Sequence, residues 1–172
     1  TLMTAFRSSA IDRRSALKLF GGAAAAGVAA GTLPMPAIAQ SAPLKVGFML
    51  PYTGTYAALG RNIDQAFRLF VAQQGDKLGG RAVEYVTVDD EAAPPKAPDN
   101  MNKLVSREKV DVVIGTVHSG VQMAMVKIAR ESNTLLIIPN AGADAATRAM
   151  CAPNVFRTSF SNWQSCYPMG KV

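Results

Sequence analysis

Cysteine and histidine are scarce in this 172-residue sequence, which contains two cysteines and one histidine. Three such residues are too few for the four Cys and His ligands of the usual structural zinc site, and we expect no metal. Two cysteines also exclude a scaffold held by several disulfides, although Cys151 and Cys166 could form one bridge. With 49% hydrophobic and 17% charged residues, the composition is that of a globular chain.

Long basic runs are also absent, although the formal net charge is +6. Residues 1–39 hold four Lys or Arg and one Asp, so half of the net charge lies there and the rest of the chain is only mildly basic. A basic patch interleaved with aromatic residues, which is typical of nucleic-acid-binding proteins, is missing. We therefore expect no nucleic-acid partner.

Residues 1–39 have the three parts of an export signal. Arg13 and Arg14 precede an uncharged stretch rich in Ala and Gly, and residues 37–39 give the small-residue pattern of a cleavage site. The paired arginines are typical of the twin-arginine class, with the general secretory route as the alternative. Glycines dilute the apolar stretch and two prolines end it, which disfavours a transmembrane anchor. The sequence thus predicts periplasmic export, with residues 40–172 as the mature chain.

Strand and helix patterns alternate through residues 40–172. Largely apolar runs predict strands at 44–50, 110–115 and 135–139, and more mixed runs predict strands at 81–88 and 154–158. Apolar residues at helical spacing predict helices around 63–71, 97–108 and 121–129, and a short helix is expected at 143–150. The alternation predicts an α/β fold with a doubly wound parallel sheet and helices on both faces.

Ligands of such sheets bind beyond the carboxyl ends of the strands, so the loops after the strands hold the candidate site residues. The first of these loops lacks both the G-x-G-x-x-G pattern and the lysine of a P-loop, which argues against a nucleotide site. The loop after the third strand has a serine without the flanking glycines of G-x-S-x-G, which argues against a hydrolase. The candidate ligand-binding residues are Tyr52, Tyr56, His118, Ser119, Gly120, Asn140, Ala141 and Gly142.

Ser119 and Gln122 match a capping box, so Ser119 is predicted to cap the third helix. The N–H groups and dipole at that helix end would favour a carboxylate, and Gly120 has no side chain to shield them. The alternative is a cap with no ligand. The adjacent carboxylates at 89–90 are expected to cap a turn rather than to form a metal or acid–base pair.

Several short motifs occur in a characteristic order: GFMLPYTG at 47–54, DD at 89–90, VDVVIG at 110–115, PNA at 139–141 and VFRT at 155–158. Together they resemble the periplasmic solute-binding proteins of branched-chain amino-acid-type ABC importers, the leucine/isoleucine/valine-binding family. The resemblance extends from residue 44 to the end. It implies two α/β lobes of the type I periplasmic-binding fold with the ligand between them. It also implies no catalysis, no cofactor, permease subunits as partners and a monomer when complete.

The resemblance implies that residues 40–172 are an N-terminal lobe and that the second lobe is missing. It places Ser119, beside His118, on the carboxylate of the ligand and the Ala141 carbonyl near a ligand amine. Gly142 stands where amino-acid binders usually carry Thr or Ser, leaving extra space. The expected ligand is therefore an amino acid as the family default, or an aromatic or other small organic acid. A sensory receptor lobe is the further alternative.

Overall fold

Strands and helices alternate along the residues that the computed structural model describes, 42–170. The strands are β1 (Leu44–Leu50), β2 (Lys77–Leu78), β3 (Arg81–Asp89), β4 (Val112–Ile114), β5 (Leu135–Ile138) and β6 (Val155–Arg157). The α-helices are α1 (Ala57–Gln73), α2 (Ala97–Asn102), α3 (Ser119–Ser132) and α4 (Asn162–Met169). A π-helical turn, Lys103–Arg107, prolongs α2, and 3₁₀ turns lie at Pro94–Lys96 and Asp144–Thr147.

The six strands form one sheet in the order β2-β3-β1-β4-β5-β6. All neighbouring pairs are parallel except β2 and β3, which are antiparallel, with Leu78 opposite Arg81. Strand β1 lies centrally, so Val46 is opposite Tyr85 of β3 on one side and Val112 of β4 on the other. The parallel α/β arrangement is confirmed, and the two-residue β2 is an addition that the sequence pattern did not predict.

The central strands β1 and β4 are buried on both faces of the sheet, since successive side chains of a strand point to opposite sides and most of theirs are buried. Phe48 and Leu50 of β1 lie in a cluster with Phe67 of α1, whereas Met49 belongs to the cluster that includes Met101 of α2 and Met125 of α3. Phe48, Met49 and Leu50 are fully buried, and burial of each contributes about 1.5–3 kcal/mol to the stability of the fold. This two-sided burial explains why β1 and β4 read as apolar runs rather than as alternating patterns.

Four details differ from the sequence-based expectations. The strand predicted at 110–115 is confined to Val112–Ile114, and a 3₁₀ turn replaces the short helix expected at 143–150. Helix α4 was not predicted; it has Pro168 inside it and no buried residue. Cys151 and Cys166 are both free and exposed, so the structure does not contain the bridge considered above.

Within residues 42–170 no helix combines the length and the apolar character needed to cross a membrane. The predicted export signal at 1–39 lies outside the described residues.

Candidate functional site

Hydrogen bonds join the loops that follow β1, β3, β4 and β5 at the carboxyl edge of the sheet. The Asp90 N–H donates to the Leu50 carbonyl at 3.0 Å, and the Thr116 hydroxyl donates to the Asp90 carboxylate. The Ala141 N–H in turn donates to the Thr116 carbonyl at 2.9 Å. Asp90 and Thr116 are fully buried. Burial raises the pKa of Asp90, although the hydrogen bonds from Thr116 and the Ala92 N–H oppose that rise.

Asp89 joins the first of these loops to the β3–α2 loop. Its carboxylate accepts from the Tyr52 N–H at 2.9 Å, the Thr53 hydroxyl at 2.7 Å and the Glu91 N–H at 2.9 Å. Burial acts to raise the pKa of Asp89, but these hydrogen bonds outweigh it and the pKa is lowered. Asp89 and Asp90 each accept from the N–H two residues later, which agrees with the predicted turn. No metal-binding group of acidic, His or Cys side chains occurs in residues 42–170.

The helix α3 is capped by His118, and the prediction that Ser119 is the N-cap is wrong. The Nδ1 atom of His118 accepts from the Gly120 N–H at 3.1 Å. Gln122 does not reach back to the cap, because its buried carboxamide accepts from the Ala143 N–H at 2.9 Å and donates to the Ala143 carbonyl. The Ser119 hydroxyl is therefore not used to cap the helix.

The expectation that Gly120 leaves the N–H groups of the helix end accessible is not met, because His118 and Pro94 cover this residue. Its N–H is bonded to His118, and a Cβ at this position would lie 2.8 Å from Cγ of Pro94. Gly120 is thus needed for the close approach of the Pro94–Lys96 turn to α3. The Gly120 N–H is therefore not available to a ligand, whereas the Ser119 side chain is not needed by the helix.

Asn162, the first residue of α4, joins the two loops that carry Ser119 and Gly142. Its Nδ2 donates to Ser119 Oγ at 3.3 Å, and its backbone N–H donates to the Gly142 carbonyl at 2.8 Å. A Cβ on Gly142 would lie only 2.4 Å from the Asn162 Oδ1 atom. The space that Gly142 was expected to leave for a ligand is therefore occupied by Asn162, a site residue that the sequence analysis missed.

Asp144 fixes the start of α4 against the loop after β5. Its carboxylate accepts from the Ser161 hydroxyl and from the Trp163 N–H at 3.3 Å, and it lies 3.6 Å from the guanidinium of Arg157. The Ser161 hydroxyl makes the largest contribution to lowering the pKa of Asp144. Arg157 also donates to the Gly142 carbonyl at 3.0 Å. These contacts hold Asn162 in place beside Ser119.

The two candidate tyrosines lie in different surroundings. Tyr56 is 37% exposed, and its ring centroid is 6.4 Å from that of His118. Tyr52 instead packs in the cluster on the α1 side of the sheet, where its hydroxyl donates to Asp64 at 3.2 Å. Burial, followed by the neighbouring Asp64 charge, raises the pKa of Tyr52. The structure thus brings Tyr56, but not the Tyr52 ring, to His118.

The loop after β5 contributes backbone rather than exposed side chains. Asn140 is half-buried directly after β5, and Ala141 is 1% exposed. The Ala141 N–H is already used by Thr116. The carboxylates that join these loops, Asp89, Asp90 and Asp144, all accept hydrogen bonds from neighbouring groups. The arrangement therefore offers hydroxyl and amide donors, which suit a carboxylate better than a cation.

The periplasmic binding protein family matches this chain over residues 43–172, and the chain belongs to that family. The resemblance inferred from the short motifs is thereby confirmed, and members of the family bind solutes rather than act as enzymes.

Individual relatives agree with this assignment. Leu/Ile/Val-binding protein homolog 6 of Brucella abortus (strain 2308) is 30% identical over 130 residues, covering 75% of this chain and 33% of that protein. An ABC transporter solute-binding protein from R. palustris, crystallised in complex with benzoate, is 65% identical, with a TM-score of 0.70 and coverage of 71% of this chain and 34% of that one. One from Rhodopseudomonas palustris BisB5, in complex with 3,4-dihydroxybenzoic acid, is 30% identical, with a TM-score of 0.64 and coverage of 69% and 32%. The chain spans about a third of the length of these relatives.

Proposed function

We propose that this chain is the N-terminal lobe of a two-lobed solute-binding component of an ABC importer, and that its solute is an aromatic carboxylate of the benzoate class. The observation that carries the proposal is the 65% identity to a solute-binding protein whose crystal structure holds benzoate. A structure at 30% identity holds a second benzoic acid, which supports the same ligand class.

The chemistry of the site agrees with a carboxylate ligand. The Ser119 hydroxyl lies at the start of α3, where the positive end of the helix dipole favours negative charge. The Asn162 amide lies beside that hydroxyl. Charge-assisted hydrogen bonds from such donors are stronger than neutral ones and would position the carboxylate.

The aromatic ring of the proposed ligand could pack against two aromatic side chains of this lobe. The rings of Tyr56 and His118, the N-cap of α3, lie 6.4 Å apart at a tilt of 45°, and Tyr56 is exposed. Packing against such rings adds about 0.5–1.5 kcal/mol beyond simple burial. The second lobe would then cover the face of the ligand that this lobe leaves open.

A branched-chain amino acid is the second candidate, because a Leu/Ile/Val-binding protein homolog is 30% identical to this chain. An amino acid carries an ammonium group that needs acceptors. On this lobe the carboxylates of Asp90 and Asp144 already accept hydrogen bonds from Thr116 and Ser161. The second lobe would therefore have to supply the acidic partner of the ammonium.

We also propose a cellular location and transport partners for the protein. We infer that residues 1–39 direct export to the periplasm and are cleaved, and that the loaded protein delivers its solute to permease subunits as a monomer. Exchanging Arg13 and Arg14 for lysine should reduce periplasmic accumulation, and unaffected accumulation would exclude the twin-arginine route.

A thermal-shift screen of the two-lobed protein tests the ligand class. A ligand at about 100 times its Kd stabilises the folded protein by about 2.7 kcal/mol. We expect benzoate and hydroxybenzoates to raise the melting temperature and leucine and valine to leave it unchanged. Benzamide, which has the same ring without the charge, is the matched control. A shift with leucine but none with benzoate would reject the aromatic ligand.

A further inference from the structure

The Asn162 side chain has no part in building the helix that it begins. The N-cap is Ser161, whose hydroxyl accepts from the Trp163 N–H at 3.2 Å, and Gln164 completes the capping box. The bond from residue 162 to the Gly142 carbonyl comes from the backbone, so any residue but proline could make it. The exposed carboxamide of Asn162 is therefore not needed to form α4, and it donates a hydrogen bond to Ser119 instead.

The direction of the bond between Asn162 and Ser119 determines what the serine offers to a ligand. An amide NH₂ can only donate, so Ser119 Oγ is the acceptor in this pair. A serine hydroxyl has one hydrogen, and that hydrogen is then directed away from Asn162. A carboxylate can accept it. An ammonium group only donates, so it could use the second lone pair of Ser119 Oγ but would leave the serine hydrogen without an acceptor.

The position of Asn162 is also well defined, which a selective contact requires. Its neighbour Ser161 donates to Asp144, and its own backbone is bonded to Gly142. The absence of a Cβ at residue 142 makes room for the Asn162 Oδ1 atom, because a Cβ there would lie 2.4 Å from it. Gly142 and Asn162 therefore form a matched pair at the edge of the site.

We propose that Asn162 determines specificity at this site: by donating to Ser119 it directs the serine hydrogen to a ligand carboxylate and disfavours a cationic group. The inference rests on the proposed function and goes beyond it by assigning the selection of ligand charge to a residue of α4. Asn162 acts on the ligand through Ser119. Its test must therefore distinguish a change in ligand selectivity from a loss of protein stability.

The test is the substitution Asn162→Asp in the two-lobed protein, with benzoate and benzamide titrated by calorimetry. Aspartate has nearly the same shape, but it accepts from Ser119 and adds a negative charge. Like charges brought together at a binding site cost several kcal/mol, so the ratio of the benzoate Kd to the benzamide Kd should rise by about 100-fold. Asn102→Asp, the same change at an exposed position of α2, should leave the ratio unchanged.

Folding of the variant should not obscure the result, because an acidic residue in the first turn of a helix is favourable. If Asn162→Asp nevertheless fails to fold, Asn162→Ala removes the donor without adding charge and should weaken benzoate by about 10-fold relative to benzamide. An unchanged ratio in a folded Asn162 variant would overturn the inference while the proposed function stands.

The wild-type titration separates the two proposals. If the protein binds leucine and not benzoate, the aromatic ligand is rejected, and the ratio of leucine to leucine amide tests Asn162 in the same way. If it binds no carboxylate at all, both the proposed function and the role of Asn162 are wrong.

Discussion

Replacing Gly142 with alanine tests how closely the loop after β5 packs against α4. The new Cβ would lie 2.4 Å from Oδ1 and 3.1 Å from the backbone nitrogen of Asn162. The side-chain oxygen can rotate away, but the nitrogen can move only with the start of α4. Overpacking of this kind costs about 1–3 kcal/mol, and loss of the bond to Ser119 adds about 0.5–1.5 kcal/mol. We expect Gly142→Ala to lower the free energy of unfolding by about 2 kcal/mol.

A double-mutant cycle in urea identifies the cause of that loss. Asn162→Ala alone should cost no more than about 1 kcal/mol, because it removes one neutral hydrogen bond. If the clash is with the Asn162 side chain, the double variant should recover about 1 kcal/mol relative to the sum of the single changes. Gly170→Ala is the control, since its Cβ would lie 3.7 Å from the nearest atom. A Gly142→Ala variant as stable as the wild type would refute the packing argument.

Three further predictions concern binding and pH. Ser119→Ala should weaken carboxylate binding by about 10-fold or more, while removing the bond from Asn162 should lower the free energy of unfolding of the free protein by no more than about 1 kcal/mol; equal affinity in calorimetry would contradict the assignment. The lowered pKa of Asp144 means that its charged form stabilises the fold above the ordinary Asp value of about 3.9, and that this stability is lost as pH falls through the lower folded-state pKa. Asp144→Asn should therefore flatten the acid dependence of the melting temperature, and identical acid profiles would count against this. Residues 40–172 alone should bind benzoate much more weakly than the two-lobed protein, because one lobe leaves much of the ligand in water; equal affinities would exclude a clamp between lobes.

Much of the fold follows from local patterns. Apolar runs located β1 and β4, which are buried on both faces, and β5, in which Leu136 and Ile138 are buried. Helical spacing located α1 and α3. Helix α4 was missed because it buries no residue and contains Pro168, so neither periodicity nor composition marks it. Strand β2 is too short for any pattern.

The site was only partly predictable. The topology rule placed the loops after the strands at one edge of the sheet, where the structure joins them by hydrogen bonds, but the residue that caps α3 was predicted wrongly. Ser119 and Ser161 each precede a glutamine three residues on, and only the second pair forms a capping box. The two pairs differ in their tertiary contacts, since the buried side chain of Gln122 is hydrogen-bonded to the backbone of Ala143 and cannot reach the helix cap. Asn162 lies 43 residues from Ser119 in sequence, so no local pattern could join them.

A crystal structure of the two-lobed protein grown with benzoate would show whether Ser119 binds the carboxylate. We expect the carboxylate at hydrogen-bond distance, about 2.7 Å, from Ser119 Oγ, with Asn162 still bonded to that serine and the ring beside Tyr56 and His118. A benzoate carboxylate bound away from Ser119, or a site that takes up leucine with its amine at the Ala141 carbonyl and excludes benzoate, would contradict it.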